Sequence, residues 1–485
     1  MNVSNLEPKA IWENFSKLNA VPRASKKEAR VIKFIEDYGK SLNLYTYTDK
    51  IGNVIIKKPA SKGMENKVTI ALQSHLDMVH QKNSDTIFDF ETEGIKMYVD
   101  GDWVKAQGTT LGADNGIGVA TIMGLLASTD IPHPPLEALF TIDEETGMTG
   151  AINLQPGLLD AAMMLNLDTE EDDELTIGCA GGIDVTAIGT YEEKLPETNA
   201  TAYRISVKGL TGGHSGMDIH KGRGNANKLM NRILLYIAEK VKFEISSIDG
   251  GSLRNAIPRE STALVCIAPD SKSQFRQLFT EIAEILKAEN SITDAGLSVE
   301  CNDIETPKTV MSYELGINFL KAVSVCPNGI FRMSAAIKDL VQSSNNLARI
   351  ELGNGSYNVK CLTRSSVDSE KMEVAQAVRS SFELIGAQVS YGGSYPGWTP
   401  NPDSVIVKLM SELYEKMFNE KPNVNACHAG LECGILNGPY PKIEMISFGP
   451  TIHGAHSPDE KVCISSVQKF WNYILETLKH IPEKA

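Results

Sequence analysis

The chain has 485 residues, 42% hydrophobic and 22% charged, with 39 Gly and 21 Pro. That is an ordinary globular composition, and it excludes collagen-like, coiled-coil, mostly disordered and disulfide-scaffold proteins. Lys and Arg number 47 against 61 Asp and Glu, a formal net charge of −14, which argues against nucleic acid and anionic membranes as partners.

The length predicts two or three domains. No run approaches the roughly 18 apolar residues that a membrane-spanning helix needs. Residues 1–15 mix Asn, Glu, Lys and Trp, with no apolar core of a secretory signal. The 8 cysteines are scattered and form no Cys-x-x-Cys pair. Together these features predict thiols in a reducing cytoplasm and no cysteine-based metal site.

Taken in chain order, the first sixty or so residues predict helices and then strands. Val31, Ile32, Phe34, Ile35, Tyr38 and Leu42 follow helical spacing across 26–42, and a short strand covers 53–56. Three apolar runs follow, over 68–73, 136–142 and 163–167, each leading into acid or histidine. Between the first two, the small and apolar stretch 116–128 predicts a buried helix. Strands alternating with helices predict an α/β layer, whose ligands bind off the carboxyl ends of the strands. From about 187 to 397 the pattern becomes mixed α/β with polar loops. It includes a strand over 201–207, the turn Gly212-Gly213-His214-Ser215-Gly216 and a helix over 225–241. The Gly-rich stretch 391–397 predicts a linker. A helix over 403–418, a strand over 443–448 and a final helix close the chain.

The chemistry concentrates at the strand ends. His75 and Asp77, two apart, fall on one face of an extended chain, a spacing that suits a metal-binding imidazole and its orienting acid. Asp114, beside Gly112 and Gly116, is either a helix cap or a ligand. Glu144 and Glu145 are either a solvated loop or a carboxylate pair that needs a cation. Asp168 ends the next strand. His456 lies late, in a Gly/Pro loop, and His453 three residues earlier offers the same chemistry. Together His75, Asp114, Glu145, Asp168 and His456 make an oxygen-plus-imidazole set that suits two divalent ions, zinc, manganese or cobalt. Such a pair activates water and polarises a carbonyl, with Glu144 placed to act as general base. His80, His133 and His480 read as structural, while His220 and His428 are intermediate.

The ordered motifs SHLDMV, GADNGIG, DEETGMTGA, LNLDTE, GGHSG and HSPDE resemble the two-metal peptidase superfamily that includes aminoacylase, peptidase T and carnosinase. Within it the chain is most similar to the aminoacyl-histidine dipeptidases (PepD type, cytosol non-specific dipeptidases). The resemblance implies an α/β catalytic domain with a central mixed sheet flanked by helices, built from 1–186 and 398–485, with an α+β lid domain inserted over 187–397. It implies that His75 and Asp168 bind one ion, that Glu145 and His456 bind the other, and that Asp114 bridges them. Asp77 would orient His75, Glu144 would be the base, and the bond after Asp114 would be cis. It further implies His214 as the lid's oxyanion donor, Asn255 and Arg364 as ligands of the substrate carboxylate, and Glu432 as partner of the substrate amine.

The function expected from these residues is hydrolysis of short peptides, Xaa-His dipeptides and β-alanyl-histidine among them, by a cytoplasmic enzyme with two divalent ions, zinc foremost. Rival readings are an N-acyl amino acid amidohydrolase or a tripeptide aminopeptidase of the same superfamily and, from another class, a non-catalytic metal-binding protein. The expected partners are small peptides, with neither nucleic acid nor membrane, and a homodimer is left open.

Overall fold

The computed structural model describes residues 2–484. The chain forms two compact units, one comprising the residues up to Gly178, Trp398–Ala426 and those from Leu431 onward, the other Cys179–Gly397 with Cys427–Gly430.

An eight-stranded sheet organises the first unit. Its strands run in the order Tyr45–Thr48, Val54–Lys58, Leu136–Thr141, Ile70–His75, Met163–Asn166, Glu444–Ser447, Glu174–Cys179, Asn423–Cys427. The sheet is mixed, as expected. Ile70–His75 pairs in parallel with both Leu136–Thr141 and Met163–Asn166, and Glu444–Ser447 continues the parallel set, whereas Val54–Lys58 runs antiparallel to Leu136–Thr141. Every residue of Ile70–His75, Leu136–Thr141 and Met163–Asn166 is buried, the polar Gln73, Ser74, Glu137 and Asn166 included, because a parallel layer is covered on both faces. The helix Ala113–Ala127 is buried along nearly its whole length, which explains why 116–128 carries no polar face.

Parallel pairing brings the carboxyl ends of three strands to one edge. His75 ends the first, Thr141 leads into Asp143–Glu145, and Asn166 leads into Asp168. A four-stranded sheet, Ile452–His453, Lys461–Cys463, Trp103–Ala106 and Met97–Asp100, holds the loop 454–460 that carries His456.

The second unit is α+β. Its nine-stranded sheet is antiparallel throughout. The helices Ala226–Ala238, Lys272–Glu289, Tyr313–Val325 and Asp368–Glu383 pack on it, with Tyr203 stacked on Phe275 at 4.7 Å. The stretch expected to be a linker is instead largely strand. Gln388–Tyr395 pairs with Gly181–Thr190, and its register shifts between Gly392 and Tyr395. The glycines there mark an irregular edge strand, a context in which the turn signal misleads.

Candidate metal centre

His75 and Asp77 stand at the end of their strand, both buried. His75 Nδ1 is 3.4 Å from Asp77 Oδ1. The Asp77 carboxylate also accepts the Ser25 hydroxyl at 2.8 Å and the backbone N–H groups of Glu144 at 3.0 Å and Glu145 at 3.3 Å. One acid therefore fixes an imidazole and the turn that carries two more acids.

Asp114 lies between the two histidines. Its Oδ1 is 3.2 Å from His75 Nε2 and its Oδ2 is 3.2 Å from His456 Nε2. Asp168 Oδ1 lies 3.4 Å from His75 Nε2, and Glu145 Oε2 lies 2.9 Å from His456 Nε2. The five residues thus form two groups that share Asp114, one around each imidazole. The Asp114–Asn115 peptide bond is cis. His453 faces elsewhere: it packs on Trp103 at 5.1 Å and lies 3.7 Å from Glu171.

Crowded acids and imidazoles perturb one another. Burial pulls His75 down, but Asp168, Asp114 and Asp77 outweigh it and hold the ring well above its usual value. His456 is pushed up to about 11 by Asp114 and Glu145. Burial raises Asp168 to about 6 against the pull of His75. Asp114 is held below the usual carboxylate range, its burial outweighed by hydrogen bonds to both histidines. The Glu144 carboxyl rises well above its usual range, through burial first and then repulsion from Asp168, Glu432 and Glu145, against the pull of His75.

Glu145 Oε1 and Asp168 Oδ1 are buried and make no hydrogen bond. Oxygens left in that condition, beside imidazole nitrogens, are a donor set that divalent cations fit. His75, Asp114 and Glu145 bring ligand atoms within 4.8 Å of one another. A second metal-capable cluster, Glu28, Asp77 and Asp143, meets the same limit, although its acids already accept hydrogen bonds from Ser25, the Lys26 N–H, Thr146 and Thr149.

Glu432 sits behind the same edge. It is fully buried and accepts Gln73 Nε2 and the Thr141 hydroxyl, each at 2.6 Å. Its Oε1 has no partner. Burial lifts it to about 7 against the pull of His75 and Thr141.

His214, Asn255 and Arg364 belong to the second unit. His214 Nδ1 accepts the N–H groups of Gly216 at 3.2 Å and Met217 at 3.0 Å. In the neutral ring the proton is therefore on Nε2. Burial and then Arg364 lower its pKa. Asn255 is exposed and its carbonyl accepts the Ser215 N–H at 2.7 Å. Arg364 is buried, with Nη1 donating to the Tyr395 hydroxyl at 2.8 Å and Nε unpartnered. His428 joins the same unit, its Nε2 2.7 Å from the Ser344 hydroxyl, and burial drops it to about 3.

Sequence reasoning gave no role to Arg23, Ser25, Gln73 or Glu460. All are buried around the first unit's site. Glu460 lies inside the HSPDE motif, which was a usable signal. Arg23 carries none, since nothing local distinguishes it from a surface arginine.

Residues 205–294 match the model of a peptidase dimerisation domain. Over 482 residues, 99% of each chain, the sequence is 41% identical to the cytosol non-specific dipeptidase of Escherichia coli K12. The crystal structure of aminoacylhistidine dipeptidase from Vibrio alginolyticus superposes with a TM-score of 0.95 at 43% identity, covering 100% of this chain and 99% of that one. Aminopeptidase PepT from Bacillus cereus shares the fold, with a TM-score of 0.58 at 16% identity, 98% of this chain and 99% of that one being covered.

Proposed function

The chain belongs to the cytosol non-specific dipeptidase family, and we propose that it hydrolyses Xaa-His dipeptides, β-alanyl-histidine among them, with two divalent ions held at the strand edge. The observation that carries this reading is the single carboxylate of Asp114 set 3.2 Å from each of two imidazoles. A one-ion site has no use for that symmetry, whereas a shared ligand between two ions requires it.

In this reading His75 and Asp168 hold one ion, Glu145 and His456 hold the other, and Asp114 serves both. Zinc is our choice, with manganese or cobalt as alternatives, since all accept mixed oxygen and imidazole ligands. Bound ions supply Lewis-acid polarisation of the amide carbonyl and a water acidic enough to attack near neutral pH.

The chain's own residues do the rest. Asp77 holds the His75 ring. Glu144 takes the proton of the attacking water as the oxygen–carbon bond forms, then gives it to the amine nitrogen as the carbon–nitrogen bond breaks. His214 presents Nε2–H to the carbonyl oxygen as charge develops there. Arg364, with Asn255, receives the substrate carboxylate, for which a guanidinium fork is suited. Glu432, with one buried oxygen unsatisfied, receives the substrate's free amine.

Two broader features are part of the proposal. The dimerisation-domain match over 205–294 supports a homodimer. Among the described residues no helix is long and apolar enough to cross a membrane and no disulfide joins the cysteines, which supports a cytoplasmic location.

The test is a substrate panel on metal-reconstituted protein: alanyl-histidine, β-alanyl-histidine, a tripeptide and an N-acetyl amino acid. Release of free amino acids from the dipeptides alone is the expected result. Preferred cleavage of the acetylated substrate would reassign the chain as an acylase, and preferred cleavage of the tripeptide would make it an aminopeptidase.

A further inference from the structure

We propose that Glu460 is a positioning residue that sets the spacing between Asp114 and His456, and so governs the ion those two residues share; the inference rests on the two-ion reading above.

Glu460 is a buried acid whose partners are all backbone. Its Oε2 accepts the N–H groups of Leu111 at 2.7 Å and Gly112 at 2.9 Å. Its Oε1 accepts those of Ala113 at 2.7 Å and Asp114 at 3.2 Å. Leu111 and Gly112 lead into the helix Ala113–Ala127, and Ala113 and Asp114 begin it across a kink at Asp114 and Asn115; its N-cap, Gly112, has no side chain to cap these N–H groups. Such groups otherwise go unsatisfied at a helix start. A residue 346 positions away supplies what a local Ser or Asp normally would.

The same residue closes the turn that carries His456. The Glu460 N–H donates to Ser457 O at 3.1 Å, and the Ser457 N–H donates to Gly454 O at 3.2 Å. His456 itself sits in the left-handed region at φ 65°. Glu460 therefore grips the Asp114 backbone with its side chain and the His456 turn with its main chain. Movement of the carboxylate alters the gap between Asp114 Oδ2 and His456 Nε2.

Arg23 braces the other side. Its Nη1 donates to the carbonyls of Leu76 at 3.2 Å and Asp77 at 3.1 Å, and its Nη2 donates to Gly112 O. Gly112, at φ 69°, favours glycine: a Cβ there would be strained and would lie 2.5 Å from Arg23 Nη2. The loop leading to Asp114 is thus pinned to the His75 strand end by Arg23 and to the His456 turn by Glu460. Since Arg23 would still hold the first group together, loss of Glu460 should loosen the Asp114–Glu145–His456 group selectively.

The test uses Glu460→Gln and Glu460→Asp in the full chain. Bound metal is counted by elemental analysis after dialysis at limiting zinc, and each ion's affinity is measured by chelator competition. Melting of the metal-stripped proteins is followed alongside kcat and KM. In Glu460→Gln an NH2 group replaces one acceptor facing the N–H groups, so one of the two ions should lose about 10–100-fold in affinity while the other changes less than threefold. kcat should fall more than KM rises. Glu460→Asp keeps the charge but retracts it by one methylene, and should recover only part of the loss. Full recovery by Asp, equal weakening of both ions in step with a lower melting point of the stripped protein, or two wild-type affinities in Glu460→Gln would each overturn the positioning role. Fewer than two ions on the wild-type chain would instead overturn the two-ion reading, so the two failures are distinguishable.

Discussion

Glu144 and Glu145 are neighbours in sequence with different surroundings. Glu145 sends Oε2 to 2.9 Å from His456, whereas the Glu144 carboxyl is pushed up by burial and then by three surrounding acids, against the pull of His75. Their turn is anchored through backbone N–H groups on Asp77, so changing the Glu144 side chain leaves the anchor in place. Glu144→Gln should therefore keep the wild-type metal content by elemental analysis while kcat falls by about 10²–10⁴. Turnover at the wild-type rate would remove Glu144 as the base. At this scale much of the site was legible. Period-two spacing put His75 and Asp77 together, and strand ends rich in acid marked Glu145 and Asp168. Arg23 stayed hidden because three of its partners are backbone carbonyls, which no motif displays. Glu460, although inside a visible motif, works on backbone N–H groups that the motif does not identify.

Among elements, the helix Ala113–Ala127 shows why small residues crowd this edge. A Cβ on Gly118 would lie 2.5 Å from Ser74 Oγ and 2.7 Å from Leu167 O. These contacts come from the chain just before His75 and just before Asp168, so any shift the helix makes is passed to both. Gly118→Ala should destabilise the protein by about 1–3 kcal/mol in denaturant titration and lower kcat as well. Gly124→Ala, on the same helix, meets Ala10 O at 3.2 Å and should be distinctly milder on both measures. Equal losses in the two variants would mean that contact with the strand ends is not what limits this segment, since helix propensity favours alanine at both positions. Apolar periodicity located the helices Ala29–Ser41 and Ala226–Ala238 because their packing faces are amphipathic. It failed at Gln388–Tyr395, where an edge strand tolerates the glycines that elsewhere signal a turn.

Over the whole molecule, the order of the sheet lay beyond local pattern. Leu136–Thr141 inserts between Val54–Lys58 and Ile70–His75, and Glu444–Ser447 joins Met163–Asn166 from the far end of the chain. The motif order, by contrast, already implied that both chain ends build one α/β layer. That construction has a thermodynamic consequence. His75, Asp114, Glu145 and Asp168 come from the segment up to Gly178, His456 from the segment after Leu431, and the second unit contributes none of the five. Ions bound there bind only the folded first unit and should stabilise it by mass action, about 2.7 kcal/mol at a hundredfold excess over Kd. The buried acids repel one another once stripped, and relief of that repulsion is part of the binding free energy that sets Kd. Chelation should therefore lower the melting temperature and speed amide exchange along Ile70–His75, Leu136–Thr141 and Glu444–Ser447. Exchange in Phe243–Gly251 and Val341–Gly353 of the second unit should stay unchanged. Identical melting of loaded and stripped protein would mean that cations do not bind the folded unit in preference to the unfolded chain, and would count against an ion site built by these five side chains.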